Sequence, residues 1–491
     1  MKFSKNIFST FGLRWCIGCV ALLLSVTGCK KAIDVGPPRA SLAGDNVYTS
    51  NGSAESVLSG LLSNMAGNGT LYNGANSVSL LMGLYADELI NYSTSSTNYI
   101  PFYTNTLSSQ GKGTFFWSDI YIQLYTCNTA IQGLSNPAAT LTPAIQKQLL
   151  GEFKFIRAFI YFYAVNLYGD VPMPLTSNYL VNNSLSRTPK AQVYQQIIQD
   201  LKDAQTLLSD GKYLTGTGAA TTDRIHPNKQ AASALLARVY LYLQDWQNAE
   251  AQATSVIGTS IYTLEPNLNQ VFLKGTREAI WQIQPVNVGY NNADAYVLVV
   301  TTSPSQSIAT QVPLNNILIN TFEAGDNRFT NWVGKITVPA KGNTPTATYY
   351  YAYKYKVNSS ELTPAPVTEY PVMLRLAEQY LIRAEARAQQ GNTGGAQADL
   401  NAIRARAGLA ATTAAGKDDL LAAIAHERQI ELFTEMGNRW FDLKRTGKAD
   451  AVMSVVLQQK SGGIWNSNKQ LLPIPNSEIL IDTKLTQNPG Y

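Results

Sequence analysis

Two histidines, His226 and His426, are all the imidazole this chain of 491 residues has. A hydrolytic triad or a histidine-based metal site has to be built from them. His426 opens the run "HERQI", which begins like the helical zinc signature H-E-x-x-H. Ile430 stands where the second histidine is needed, so one helix face cannot present two ligands. His226 precedes Pro227, a loop or cap position. No Gly-Lys pair is followed by Ser or Thr, so the sequence has no P-loop. Carboxylates occur in adjacent pairs, Asp87-Glu88 and Asp418-Asp419, and paired carboxylates are what glycoside hydrolysis uses. Neighbours in one helix point to different sides, so solvated faces or caps account for them better. Glu427, Glu431 and Glu435 recur at i, i+4 and i+8 with Arg428, Arg439 and Lys444 nearby, the spacing of an ion-pair network. The expectation is a protein that is not an enzyme and carries neither cofactor nor catalytic metal.

Three of the four cysteines lie in "LRWCIGCVALLLSVTGCKK". Lys2, Lys5 and Arg14 form a positive flank without acidic residues. The apolar stretch from Cys16 to Val26 has the length of a signal-peptide core and falls short of the ~20 residues that span a bilayer. Cys16 and Cys19 have C-x-x-C spacing but sit inside that stretch, as apolar fillers. Val26-Thr27-Gly28-Cys29 resembles a bacterial lipobox: a branched apolar residue, two small residues, then a thiol that accepts lipid. We therefore expect residues 1–28 to be a lipoprotein signal peptide and Cys29 to be the lipidated start of the mature chain. Several acyl chains on one residue anchor stably where one is marginal. Residues 29–45, with Pro37-Pro38, read as a tether. The remaining Cys127 lies among apolar helix residues, so it is expected to be buried and inert, and no intrachain disulfide framework exists.

The net charge of +5 falls to about +2 once Lys2, Lys5 and Arg14 leave with the signal. There is no basic stripe, which argues against nucleic acid as a partner. Charged residues make up only 14% of the chain while tyrosines number 27, a composition suited to neutral polar ligands.

The elements that must position these residues are mostly helical. In "GEFKFIRAFIYFYAVNLYGDVP", Phe153, Ile156, Ile160, Tyr163 and Leu167 recur at helical spacing. In "RTPKAQVYQQIIQDLKDAQTLL", Thr188 reads as an N-cap and Pro189 as a first-turn residue, with Val193, Ile197, Leu201, Ala204 and Leu208 on one face. "ARVYLYLQDWQNAEAQATSVI" and "AEARAQQGNTGGAQADLNAIR" align without gaps, each a helix, a break at Gln244-Asp245 or Gly391-Asn392, and a second helix with small inward residues. This is the logic of the tetratricopeptide repeat. From Gly258 to Thr368 the helical period fades and strand-like patches appear, among them "AIWQIQPV". "YYYAYKYKV" places Tyr349, Tyr351, Tyr353 and Tyr355 on one face. That face is either a stacking platform for sugars or a half-buried strand packing on helices, and the packing reading is the stronger.

"VMLRLAEQYLIRAEARAQQG", "LNAIRARAGL", "ERQIELFTEMGNRWFDLKRTG", "LLPIPNSEI" and a terminal "QNPGY" follow one another in the last third. With "GEFKFIRAFIYFYAVNLYGDVP" they resemble the SusD/RagB family of outer-membrane nutrient-binding lipoproteins over essentially the whole mature chain. Met436 beside Gly437, and Ala425-His426 before the Glu-Arg pair, depart from its pattern without disturbing it. The resemblance implies an all-α body, residues 46–491, built on TPR-like helix pairs (mainly 113–257 and 370–456) with a loop-rich, partly β insertion at about 258–368. It implies a lipid anchor in the outer membrane, facing the exterior, and a SusC-like TonB-dependent transporter as partner. The ligand it implies is a glycan; the alternative is a peptide-capture subunit of the RagB kind. Arg157 with Glu152, and Glu427 with Arg439, read as scaffold contacts. Family members bind ligand through loops of the N-terminal segment and the variable middle. Here the aromatic-rich run "NYSTSSTNYIPFY" offers Asn91, Tyr92, Tyr99, Phe102 and Tyr103, with Tyr72, Tyr290, Tyr296 and Trp332 as further candidates.

Overall fold

The computed structural model describes residues 44–67, 70–111, 115–137, 139–287, 291–304, 311–342, 345–358 and 366–491. The chain divides into two compact units, Met1–Val47 and Tyr48–Tyr491. Of the first, residues 44–47 alone are described, at the start of a 3-10 helix. The expected signal peptide (residues 1–28), Cys29 and most of the expected tether lie outside the described residues.

The second unit is a stack of helices. α1 (Asn51–Ala66), α2 (Val78–Tyr85) and α3 (Tyr99–Tyr103) lead into α4 (Phe115–Leu134), α5 (Pro143–Tyr168), α6 (Lys190–Leu207), α7 (Lys229–Tyr242) and α8 (Trp246–Ile257). After the insertion come α10 (Leu376–Gln389), α11 (Thr393–Arg406), α12 (Lys417–Glu431), α13 (Asn438–Arg445) and α14 (Ala449–Ser461), while α9 (Asn327–Trp332) lies within it. Each long helix packs on its neighbour in sequence, and α8 packs on α10 across the insertion. One continuous helix-pair scaffold therefore runs from α4 to α12, as the all-α, repeat-like expectation required.

α5 is the axis of the stack. The expected single apolar stripe understates it: Phe153, Phe155, Ile156, Phe159, Ile160, Tyr161, Phe162 and Tyr163 are all buried. A helix apolar all round belongs at the centre of a core. α6 shows the expected inward face, with Val193, Ile197, Leu201 and Ala204 buried. Its cap differs from expectation. The Thr188 backbone instead exchanges hydrogen bonds with Val171, and the Asp170 carboxylate accepts the Lys190 N–H at 2.7 Å. A carboxylate at a helix N-terminus meets both the orphan donors and the dipole.

The two aligned segments fold alike down to their breaks. Gln244 (φ 59°) and Gly391 (φ 82°) occupy the same left-handed position. The next residue caps the following helix in both: Asp245 accepts from Asn248 N–H and Asn392 from Gly395 N–H. Ala249, Ala253 and Val256 face inward in one pair, as small residues should, whereas in the other Ala396 is followed by the larger Leu400 and Ile403.

β1 (Tyr213–Leu214) and β2 (Ala220–Thr221) form a short antiparallel ribbon between α6 and α7. The insertion leaves and rejoins the scaffold through a second antiparallel ribbon, β3 (Ala279–Gln282) with β6 (Val372–Arg375). Trp281 of β3 sits edge-on to Phe155 and Phe159, both at 4.9 Å between centroids, which fixes the ribbon on α5. Further out, β4 (Val333–Val338) pairs with β5 (Ala347–Ala352). The tyrosine alternation predicts one strand through Tyr355, but β5 stops at Ala352. Lys354 and Tyr355 both turn inward, which a period-two strand cannot do. No described helix is long and apolar enough to cross a membrane.

Candidate functional site

Beneath the insertion lies a buried ion network. Arg328 of α9 donates to Asp326 (2.8 Å), Glu427 (2.5 Å) and Glu431 (2.9 Å). Arg375 at the end of β6 donates to Glu278 (3.0 Å), Glu431 (2.6 Å) and Glu435 (2.7 Å). Arg406 of α11 bridges Glu278 and Glu431. The Lys354 ammonium reaches Glu435 and the carbonyls of Glu431 and Phe433. Trp332 lies under this cluster, its ring centroid 4.9 Å from Lys354 and 5.6 Å from Arg406. Burial works to raise the Glu431 carboxyl, but Arg406, Arg375 and Arg328 outweigh it and hold the group well below the usual range. For Glu427, burial wins and the group is pushed up.

The network corrects the pairings expected from spacing. Glu427 meets Arg328 and Arg404 rather than Arg439, which pairs with Asp87 at 2.6 Å. Arg157 pairs with Asp200 at 2.7 Å, while Glu152 holds His226 at 2.8 Å. Glu435 lies beyond α12, which ends at Glu431, so the three glutamates converge without sharing a helix.

The network grips both ends of the β4–β5 hairpin. Trp332 precedes β4 and Lys354 follows β5, so the hairpin projects from a rigid base. On one face Tyr351 lies opposite Gly334 and Tyr349 opposite Ile336. The Tyr351 ring rests on the Gly334 backbone so closely that a Cβ there would come within 2.1 Å of it. Only glycine leaves room for the ring in this position. Residues 88–90 bring a further tyrosine alongside. Asn315 N–H donates to Glu88 O, Ile90 N–H to Pro313 O, and Leu314 N–H to Tyr350 O. Asn91 then closes a local turn through Ser93 and presents Tyr92, which is 41% exposed.

The result is a row of tyrosines. Tyr92 meets Tyr349 edge-on at 5.3 Å, and Tyr351 meets Tyr353 edge-on at 5.7 Å. Tyr349, Tyr351 and Tyr353 are half-buried, and Lys356 sits 4.3 Å from the Tyr353 ring. Rings held by one another on a hairpin form a pre-set apolar surface whose hydroxyls stay available for hydrogen bonding. The platform reading of Tyr349, Tyr351 and Tyr353, the weaker of the two in sequence, thus has a geometry; Tyr355 is buried and leaves it.

Of the candidates chosen from sequence, Asn91 and Tyr92 join this row. Tyr99, Phe102 and Tyr103 do not: they are buried in and around α3. Phe102 packs between Tyr85 and Phe116, and Tyr103 lies under the Lys460 ammonium at 4.8 Å. The polar run around them folds into a helical turn that takes the rings inward. Trp332 is fully buried and donates to Leu268 O at 2.9 Å. Tyr72 is also buried, bonded to Gln123. Tyr296 is half-buried in the turn Ala293–Leu298. Tyr290 lies outside the described residues.

His426 meets the Thr321 carbonyl at 2.9 Å, and His226 is buried against Glu152. Cys127 is buried, and burial pushes its thiol up. Asp87 and Glu88 face different partners, Arg439 and the Thr434 N–H, and burial together with Asp87 raises Glu88 to about 8. Asp418 and Asp419 lie in the first turn of α12.

Comparison with known proteins agrees with this architecture. A model described as the SusD family matches residues 286–491, and one described as "starch-binding associating with outer membrane" matches residues 51–241. The SusD-like protein P2 of Formosa agariphila is 26% identical over 97% of this chain and 100% of its own. A SusD superfamily protein from Bacteroides vulgatus superposes with a TM-score of 0.76 at 20% identity, covering 90% of this chain and 100% of its own. A laminarin-binding SusD-like protein superposes with a TM-score of 0.72 at 25% identity, covering 90% and 99%. The helix-pair scaffold, the insertion it carries and these matches together identify the chain as a member of the SusD/RagB family.

Proposed function

We propose that this protein captures a glycan on its tyrosine row and passes it to a SusC-like TonB-dependent transporter in the outer membrane. A lipid on Cys29 holds it there, facing the exterior. The observation that carries this reading is the row itself: Tyr92, Tyr349, Tyr351 and Tyr353, braced on a clamped hairpin. Flat rings accept the C–H faces of sugars, and their hydroxyls bond sugar hydroxyls. Binding is capture without chemistry, so the ligand leaves unchanged. The laminarin-binding relative and the starch-binding description of the matched model support a glycan in preference to a peptide.

The test is calorimetry with laminarin and starch oligosaccharides, followed by a glycan array. One ring commonly contributes on the order of 1 kcal/mol beyond area burial, so Tyr349→Ala and Tyr351→Ala should each weaken the best ligand about fivefold to tenfold. Binding of peptides but no glycan, lost in the same variants, selects the peptide-capture reading. Glycan binding untouched by either variant refutes the row. For the anchor, Cys29→Ala should leave the outer-membrane fraction while Cys16→Ala and Cys19→Ala stay in it.

A further inference from the structure

A cleft of about 740 Å³ opens at the far end of α5, and it shares no residue with the tyrosine row. It is built where separate stretches of chain meet: Asn166 of α5 with Gly169 and Asp170 just after it, Lys444 and Arg445 of α13, Leu471, and Asn488-Pro489 near the C-terminus. Four cations line it, Arg187, Lys190, Lys444 and Arg445, against one carboxylate, Asp170.

The cations are unequally neutralised. Arg445 is spent on Glu385 and Asp442, each at 2.6 Å. Arg187 has no carboxylate among its hydrogen-bond acceptors: it donates to the carbonyls of Asp170 (2.8 Å), Thr486 (3.0 Å) and Tyr168 (3.3 Å) and to the Asn488 amide oxygen (2.5 Å). Carbonyls satisfy its donors without cancelling its charge. Lys444 donates to the Asn166 carbonyl and lies 5.5 Å from the Phe441 ring. Lys190 is exposed, 5.7 Å from the Tyr194 ring. The Asp170 carboxylate is occupied by the Lys190 N–H that it caps.

Two further observations mark the cleft as a receptor. Tyr242 lines it, and its hydroxyl is buried with no hydrogen-bond partner among the described residues. A buried hydroxyl without a partner is costly and rare. Burial, and then the Lys190 ammonium, lower Lys444 to about 7. Two ammonium groups that oppose each other's charge are relieved by an anion set near both.

We infer that this cleft is a second binding site, for a carboxylate- or sulfate-bearing ligand about the size of one or two sugar rings. The oxyanion sits near Lys190 and Lys444 within the field of Arg187. The volume lies within the range of small-molecule sites, and a charge-assisted hydrogen bond to an oxyanion is among the stronger contacts a cleft can offer. The inference does not depend on the tyrosine row.

The test is calorimetry on the soluble chain from residue 30 with glucuronate, glucose 6-sulfate, inorganic sulfate and glucose. Glucuronate or glucose 6-sulfate should bind at least about tenfold tighter than glucose, since only they engage the cations. Binding of glucuronate alone assigns the site to carboxylates; binding of both sugars assigns it to oxyanions generally. Lys190→Gln, at an exposed position, should weaken binding about threefold to tenfold with an unchanged melting temperature. Lys444→Met should weaken it further. Affinity should fall between pH 6 and 9 as Lys444 loses its proton, with proton uptake on binding near pH 7.5. Arg187, Arg445 and Asp170 are the other charged groups lining the cleft. Because burial also lowers Lys190, the pH profile is measured on Lys190→Gln as well, where the share carried by Lys444 remains. Equal affinity for glucose and glucuronate overturns the proposal. So does no binding of any of the four, or binding of inorganic sulfate alone with Lys190→Gln indifferent, which marks an adventitious ion only.

Discussion

Replacing Arg328 with methionine should cost this protein about 4 kcal/mol, and the structure says why. The network holds five carboxylates (Glu278, Asp326, Glu427, Glu431, Glu435) and four cations (Arg328, Arg375, Arg406, Lys354), with side chains at most 7% exposed. Arg328 serves three of the carboxylates, and they do not lose equally. Glu431 keeps Arg375 and Arg406. Glu427 keeps only Arg404, at 3.4 Å. Asp326 keeps no cation within salt-bridge distance among the described residues. One buried carboxylate is therefore stranded and a second nearly so. Stranding one member of a buried pair costs roughly 3–5 kcal/mol, against a total stability of about 5–15 kcal/mol. Urea denaturation followed by tryptophan fluorescence reads the loss through the midpoint and slope. Asp326→Asn added to Arg328→Met should recover about half of it, because the stranded charge is gone. The deficit should also shrink from pH 7.5 to pH 5.5. Without the arginine the stranded carboxyls have folded pKa values above their unfolded ones. Stability of that kind rises as pH falls through the folded pKa. A loss under about 1 kcal/mol at both pH values, unaffected by Asp326→Asn, would mean the pairs behave like surface ion pairs, and would refute the argument.

Three further outcomes can be checked separately. Gln244→Gly should stabilise the chain by about 1 kcal/mol, since a left-handed backbone costs a non-glycine residue about that much; a lowered melting temperature would contradict it. Glu88 is raised to about 8 by burial and Asp87, so the folded state keeps a proton that the unfolded state has released, and stability should fall as pH rises from 6 to 8. Glu88→Gln should flatten that fall by about 2 kcal/mol, and parallel pH profiles for the two proteins would rule the linkage out. Gly334→Ala should push the Tyr351 ring off the β4 backbone and lower glycan affinity about fivefold; affinity equal to wild type would show that the ring's seat is immaterial.

The scaffold was legible because its signals are local. The α5 period, the inward face of α6 and the twin breaks at Gln244 and Gly391 are set by residues within a few positions of one another. The ion network was half legible. The sequence showed that Glu427, Glu431 and Glu435 needed cations, and spacing offered Arg428, Arg439 and Lys444. The partners are instead Arg328, Lys354, Arg375 and Arg406, brought in from the insertion and two other elements, and no local rule carries such pairings. The tyrosine row failed in both directions. Around Tyr99, Phe102 and Tyr103, polar neighbours gave the impression of an exposed loop, yet Tyr85, Phe116 and Lys460 were waiting to cover the rings. The alternation at Tyr349 to Tyr355 was visible, but whether a strand shows its aromatic face to ligand or to core depends on what lies above it. Gly334 was the missed signal, since its importance appears only once the strand register is known.

The double grip on the hairpin also bears on how specificity can change. Trp332 and Lys354 bracket the stretch 333–352, and both are seated in the buried network. Within that stretch the Thr337 and Thr348 side chains are exposed and the Tyr349 and Tyr351 rings half-exposed, so their replacement disturbs little of the core. Under the proposed function, recognition is a cartridge held in a fixed socket. A lineage, or an engineer, can exchange the cartridge for one of different length and chemistry while the socket, the helix stack and the folding energy they carry remain as they are.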